Sequence, residues 1–245
     1  MTSQYDKIAE EYSSMLSITK KYVTIPTFIK IIGNLSNKSV LDLACGDGFF
    51  TRILAKLKPK EIIGADISKE LIKIAIEKEK KEKLGIKYLT KNVLELNLNK
   101  KFDVITAVFL LNYAKTKEEL LEMCKTIYSH LNNNGKFCAI APHSAIKVMK
   151  NFEYERRFTN VNGKGFFIDG DKIKCEMREK GKKPFEFVNY YWSKKTYGEC
   201  LRKAGFQSLE WVKAIVSKEG VKKYGTKYWE NFKNNPSVIS IICKK

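Results

Sequence analysis

The sequence predicts an α/β protein: a doubly wound, mostly parallel seven-stranded sheet with an N-terminal helical segment and a small β-rich cap inserted before the last helix. Three observations lead there. Apolar runs of strand length alternate with helical patterns up to residue 142. From His143 to Ser193 the alternation stops and short runs are punctuated by DG and EKGKKP turns. The remaining chain returns to a helix followed by two strand-like runs. With 245 residues, a single domain carrying an insertion fits the length, divided into 1–37 (N-terminal helical segment), 38–142 (core), 143–193 (cap) and 194–245 (C-terminal part of the core).

Each element has its own signal. SVLDLA (39–44) is a first strand and a helix opens at Phe49. EIIGADI (61–67) is a second strand, followed by the helix LIKIAIEKEKKEK, then IKYLT (86–90) and FDVITAVFLL (102–111). The helix KEELLEMCKTIYSHL is expected to end near Leu131, where NNNGK makes the turn and Gly135 supplies a left-handed cap before the strand GKFCAIAP (135–142). The segment GFFIDGDKIKCEMREKGKKPFEFVNYYW reads as antiparallel strands. KTYGECLRKAGF is a helix closed by Gly205, and SLEWVKAIV and SVISIICKK complete the sheet. In such sheets ligands bind outside the carboxyl ends of the strands.

Composition narrows the function. A net charge of +19 would suit nucleic acid or an acidic membrane surface. Yet only five of the 46 basic residues are arginine (Arg52, Arg156, Arg157, Arg178, Arg202), and the lysines are spread along the whole chain. Arginine's planar fork is the usual tool for phosphate and base edges, so this balance disfavours a dedicated nucleic-acid surface. The six cysteines form no CxxC pair and no metal-ligand cluster with histidine, and they read as buried, reduced thiols. No basic apolar leader and no apolar run of membrane-spanning length is seen, so a cytoplasmic location is expected; the oligomeric state stays open.

The stretch VLDLACGDGFFTRILA (40–55) carries the chemistry. Read from Asp42 it is D-x-A-x-G-x-G, and Thr51 stands where a dinucleotide fingerprint has its third glycine. A pyrophosphate at the helix N-terminus would be repelled by the neighbouring carboxylate, whereas a cofactor bearing an ammonium and a sulfonium would be attracted. GKS and GKT are absent, which excludes a P-loop.

On Asp42, Ala44, Gly46 and Gly48 the chain resembles the class I S-adenosylmethionine-dependent methyltransferases, over roughly residues 38–142 and the final helix and strands. The resemblance implies a Rossmann-like core with S-adenosylmethionine as cofactor. It places Asp66, eighteen residues beyond Gly48, on the ribose hydroxyls and Ile67 against the adenine face. Where the family usually has an acid for the adenine amino group, this sequence has Asn92, able to accept through its carbonyl oxygen, with the Val93 amide toward the ring. Leu110 to Tyr113 occupy the family's cofactor- and substrate-facing position; Asn112 and Tyr113 either line the pocket or belong to the core. YDKIAEEY resembles a segment that folds over the cofactor's methionine part, and Tyr5 and Tyr12, on one helix face, either do so here or pack on the core.

The implied activity is methyl transfer to a nitrogen or oxygen of a small molecule. His143, just past the fifth strand, is either a general base or a structural histidine, and His130 is a helix C-terminal capping residue. The cap aromatics Phe166, Phe167, Tyr190, Tyr191 and Trp192 either face a planar acceptor or form a hydrophobic plug. A more diffuse similarity to azapteridine methyltransferases of the toxoflavin type, in the N-terminal segment, the aromatic run before Ser193 and WENFKNNPSVISIICKK, favours a compact heterocyclic acceptor. The competing readings are an RNA or protein methyltransferase using the lysine surface and a non-catalytic cofactor-binding scaffold.

Overall fold

The computed structural model describes residues 3–143 and 145–245. The chain begins with a 3-10 turn (Gln4–Lys7), helix α1 (Ala9–Ser14), a π-helical stretch (Lys20–Thr24) and α2 (Ile25–Ile32). The core then runs β1 (Ser39–Leu43), α3 (Phe49–Ala55), β2 (Glu61–Asp66), α4 (Lys69–Glu82), β3 (Lys87–Thr90), β4 (Phe102–Val108), α5 (Lys117–Ser129) and β5 (Leu131–Pro142). The cap contributes β6 (Arg156–Asn160), β7 (Lys172–Met177) and β8 (Phe185–Tyr190). After it come α6 (Lys194–Ala204), β9 (Ser208–Lys213), α7 (Lys218–Tyr224), α8 (Glu230–Asn234) and β10 (Val238–Lys244).

The expected seven-stranded sheet forms in the order β3-β2-β1-β4-β5-β10-β9, parallel except for β10, which is antiparallel to both neighbours. All five residues of β1 are buried, as a parallel strand covered on both faces requires. The period of two sorts side chains between two layers. Val40, Ile62, Val104 and Ile140 pack toward α2, α3 and α8, while Leu41, Leu43, Ile105, Ala107 and Phe137 pack toward α5 and α6. The chain reverses between strand order 1 and 4, so the carboxyl ends of β1 and β4 flank the switch point where a ligand belongs.

Helix starts follow their caps. Ser68, Thr116 and Ser193 each accept a backbone N–H in the first turn of α4, α5 and α6, and Gly205 ends α6 at φ 116° as expected. The turn before β5 differs from expectation. The helix stops at Ser129, the strand starts at Leu131, and the left-handed residue is Asn134 (φ 62°), not Gly135. The pairing with β4 slips between Phe102 and Val104, making a bulge. Gly135 is needed there for room, since a Cβ would lie 2.8 Å from the Asn132 carbonyl oxygen. His130 caps α5, its Nδ1–H donating to the Thr126 carbonyl (2.8 Å) while Nε2 accepts from Leu98 N (3.4 Å).

The inserted segment forms a separate antiparallel sheet, β6-β7-β8, as expected. All six cysteines are buried and unpaired. Among the described residues no helix is long and apolar enough to cross a membrane, and no group of side chains is arranged to hold a metal ion.

Candidate active site

The glycine loop leaves β1 through three left-handed residues, Ala44 (φ 53°), Gly46 (φ 56°) and Gly48 (φ 74°). Its backbone is tied to β2: Cys45 N donates to Ala65 O (3.1 Å) and Gly46 N to Asp66 Oδ2 (2.8 Å). Gly48 faces away from the cavity described below, and a Cβ there would lie 2.8 Å from Tyr88 Cζ, so this position has no space for a side chain.

Asp42 departs from its expected place beside a cation. It is 1% exposed and sits beneath the loop, where Oδ2 accepts from Thr51 Oγ1 and Oδ1 from Thr106 Oγ1, both at 2.6 Å. This carboxylate ties β1 to α3 and β4, and it accounts for Thr51 in place of a third glycine. Burial pushes its pKa up to about 6, against the two hydroxyl donors.

Above the loop lies an elongated cavity. Ala44, Gly46, Asp66, Leu71, Tyr12 and Lys20 line one end. Val108, Phe109, Pro142, Arg156, Ser237 and Val238 line the other, across β4, β5 and β10. β1 and β10 are three strand spacings apart, roughly 14 Å. Phe109 is swung in by a left-handed backbone (φ 62°), held by its N–H on Ile140 O (2.8 Å). For a bulky residue that conformation is unusual and is tolerated where surrounding structure enforces it. The roof is one face of the cap sheet: Phe158, Ile173, Cys175, Met177, Phe185, Phe187 and Asn189.

The N-terminal segment closes the side. Tyr5 and Tyr12 both line the cavity, with ring centroids 5.0 Å apart, and the Tyr5 hydroxyl bonds that of Tyr113, another wall residue. Asp6 Oδ1 accepts from Ser68 Oγ (2.6 Å) at the start of α4, and Ser13 Oγ donates to Asp47 Oδ2 (2.9 Å). The Gln4 amide makes two bonds to the Val188 backbone on β8, at 2.7 and 2.9 Å. Lys20 Nζ lies 4.0 Å from the Phe49 ring centroid, and burial lowers its pKa to about 8. Next to it, Thr19 Oγ1 is buried and has no partner among the described residues.

The other predicted residues divide. Asp66 reaches the cavity wall from the end of β2; its oxygens also accept from Gly46 N and Ser68 N, and burial raises its pKa. Ile67 (39% exposed), Asn92 and Val93 stand at the exits of β2 and β3, outside the cavity lining; Asn92 Oδ1 accepts from Leu94 N (3.1 Å), capping a 3-10 turn. Leu110 and Asn112 are core instead of wall: Leu110 packs in the apolar cluster under α5, and Asn112 is wholly buried with both amide atoms unpartnered among the described residues.

His143 follows directly on β5. It is partly buried and off the cavity wall, its Nδ1 accepts Ala145 N (2.9 Å), and burial lowers its pKa to about 4. None of the five cap aromatics is on the cavity wall. Trp192 is core, with Nε1 donating to Ala114 O (3.1 Å); Tyr190 packs on the same core; Phe167 and Tyr191 stack on each other (5.7 Å) within the cap; Phe166 is exposed. Sequence reasoning missed Phe158, Phe185 and Phe187, although the alternation F-x-F in β8 marks one face of that strand. Lys20 and Arg156 had no local signal.

Residues 40–135 match the family model described as "Methyltransferase domain". The demethylmenaquinone methyltransferase of Lactococcus lactis is 30% identical over 221 residues, covering 87% of this chain and 81% of that protein. A ubiquinone biosynthesis O-methyltransferase of Coxiella burnetii is 30% identical over 111 residues; the match spans 42% of this chain and 47% of that protein. In fold, the chain is similar to the CcbJ methyltransferase of Streptomyces caelestis (TM-score 0.72, 16% identity, covering 99% of this chain and 97% of that one). It is also similar to an S-adenosylmethionine-dependent methyltransferase from Clostridium acetobutylicum (TM-score 0.65, 22% identity, covering 98% and 95%). The chain belongs to the class I S-adenosylmethionine-dependent methyltransferase family. The narrower similarity to azapteridine methyltransferases finds no support in these relatives.

Because Asp42 is held near 6 when folded and returns to its ordinary value of 3.8 when unfolded, the folded state binds the extra proton. Its contribution is complete below about pH 4 and is lost as pH rises through 6. Asp42→Asn should therefore gain stability relative to wild type between pH 4 and 7, by about 3 kcal/mol, in urea titrations. A difference independent of pH would rule out the buried ionisation. Asp66→Ala should weaken S-adenosylhomocysteine binding by roughly 1 to 3 kcal/mol in calorimetry through loss of charge-assisted hydrogen bonds; unchanged affinity would remove Asp66 from the ribose site.

Proposed function

We propose that this chain, as one methyltransferase domain over residues 1–245 with 143–193 as its cap, transfers the methyl group of S-adenosylmethionine to a nitrogen or oxygen of a small, ring-bearing molecule. The observation that carries this reading is the roofed cavity, with the glycine loop and Phe109 below, the apolar face of β6, β7 and β8 above, and the N-terminal segment at its side. Such an enclosure suits a compact planar molecule better than a polymer strand. The names of the L. lactis and C. burnetii relatives refer to quinone chemistry, which supports a flat, apolar ring as acceptor.

The residues present fit the cofactor. A Cβ on Gly46 would close the gap to Tyr12 (3.7 Å) and Leu71 (3.8 Å), so glycine keeps that space open. Asp66 would take the ribose hydroxyls. Lys20, with the orphaned Thr19 hydroxyl, would take the methionine carboxylate, and Tyr5 and Tyr12 would wall the methionine part. Ile67, Asn92 and Val93 would meet the adenine beyond the cavity. When bound, S-adenosylmethionine supplies an electrophilic methyl on a sulfonium. The protein's part is to align the acceptor and exclude water. At the Arg156 end no carboxylate or imidazole lines the cavity among the described residues, and the Cys175 thiol there has its pKa pushed up to about 12 by burial.

The RNA or protein reading is weaker, because lysines along the seam between the N-terminal segment and the cap are engaged in ion pairs: Lys183 with Glu11 and Lys182 with Glu179. Labelled methyl transfer should appear with a panel of phenols, hydroquinones and nitrogen heterocycles. Incorporation only into RNA or protein would overturn the small-molecule reading, and cofactor binding without any transfer would favour the scaffold.

The cofactor site has a pH signature. Lys20 is a cation below about pH 8 and loses its charge above it. S-adenosylhomocysteine affinity should fall from pH 7 to 9 more steeply in wild type than in Lys20→Met, which should bind roughly tenfold more weakly at pH 7. Parallel profiles would remove Lys20 from the carboxylate site.

A further inference from the structure

We propose that the cap end of the cavity is an anion subsite, in which Arg156, steadied by Ser237, selects acceptors that carry an acidic oxygen such as a carboxylate or an ionised ring hydroxyl. The inference rests on the small-molecule reading above. Arg156 opens β6, lines the cavity and is only 9% exposed. Its Nη2 donates to Ser237 Oγ, itself on the cavity wall, and its guanidinium lies 5.4 Å from the Phe158 ring centroid.

Among the described residues no carboxylate comes within ion-pair distance of it. The neighbouring acid Glu153 is occupied by Asn231 Nδ2 (2.6 Å), whereas Arg157, which follows on the other face of the strand, is paired with Glu176 through two bonds of 2.8 and 2.7 Å. Two adjacent arginines thus have opposite fates: the one on the outer face has its counter-ion, and the one facing the cavity has none among the described residues.

A guanidinium has five N–H donors in a planar fork. Taking it out of water without a counter-ion is costly. Burial lowers its pKa only to about 10, so it is a cation at neutral pH. A ligand oxyanion would supply the missing partner, with the bidentate geometry that arginine favours.

A second polar group at the roof is also unfulfilled. Asn189 lines the cavity, its Nδ2 donates to Cys175 Sγ (3.6 Å), and its Oδ1 is buried with no partner among the described residues. The strand register puts it at the opposite corner of the roof from Arg156, two strands across and four residues along, so it does not belong to the anion subsite. The absence of a carboxylate or imidazole at this end agrees with an acceptor that arrives already ionised.

The test uses the full chain saturated with S-adenosylhomocysteine and two planar probes of the same shape, naphthoate and naphthamide, in calorimetry. Wild type should bind naphthoate roughly tenfold or more tightly than naphthamide. Arg156→Met should abolish that preference, and Arg156→Lys should keep part of it. Both variants should bind S-adenosylhomocysteine as wild type does. Equal affinity of wild type for the two probes overturns the subsite without needing any variant to fold. Loss of S-adenosylhomocysteine binding in a folded Arg156→Met also overturns it, by moving the arginine to the cofactor. Failure of wild type to bind S-adenosylhomocysteine at all would instead strike the cofactor reading.

Discussion

The site depends on one buried carboxylate. Asp42 receives hydroxyl donors from Thr51 on α3 and Thr106 on β4, so a single side chain joins the first strand, the helix after the glycine loop and the strand on the far side of the switch point. Burying an acid in this way is unfavourable, which its raised pKa expresses, and the two short hydrogen bonds offset part of that cost. The loop above can then hold a left-handed backbone at three alternate residues, Ala44, Gly46 and Gly48. Asp66 braces the same loop from the other side through Gly46 N. Of the two acids, one is sealed beneath the loop and one faces the cavity.

The cavity itself is assembled from three parts of the chain. The strand ends supply the floor, the cap sheet the roof, and the N-terminal segment the side. That segment is bonded to both other parts: Asp6 meets the start of α4, and the Gln4 amide pairs with the Val188 backbone much as a further strand would on the edge of β8. Leu16 N and Ile18 N continue the seam by donating to Glu179 and Glu155 of the insertion. The result is a mostly apolar chamber with a cation toward each end, Lys20 near the glycine loop and Arg156 on cap strand β6.

The alternation of strands and helices was legible because each strand is buried on both faces and each helix on one, and both patterns are written in neighbouring residues. The glycine loop and Asp66 were legible for a similar reason, since their spacing follows the strand–turn–helix–strand path. The cap was harder. The run Tyr190, Tyr191, Trp192 drew attention by its aromatic density, yet it lies beyond or on the wrong face of β8, and the wall is made by Phe185, Phe187 and Asn189 at alternate positions. His143 sat at the right strand end, but its Nδ1 is spent on a local turn to Ala145. Asp42 was found as an acid of the motif, while the direction of its side chain was not, because that depends on Thr51 and Thr106 together.

The sequence by itself determined the sheet, its order of helices and the inserted cap, because these follow from local periodicity and short spacings, and its resemblance to the methyltransferase family implied the cofactor class. Only the tertiary structure decided what lines the cavity. The pairs that build that chamber are far apart along the chain: Tyr5 with Tyr113, Gln4 with Val188, Arg156 with Ser237. No local pattern records such meetings. An arginine looks the same in sequence whether it has a glutamate at ion-pair distance, as Arg157 has, or none among the described residues, as for Arg156. Burial and pairing are properties of the folded chain, and they give these two adjacent residues different physical roles.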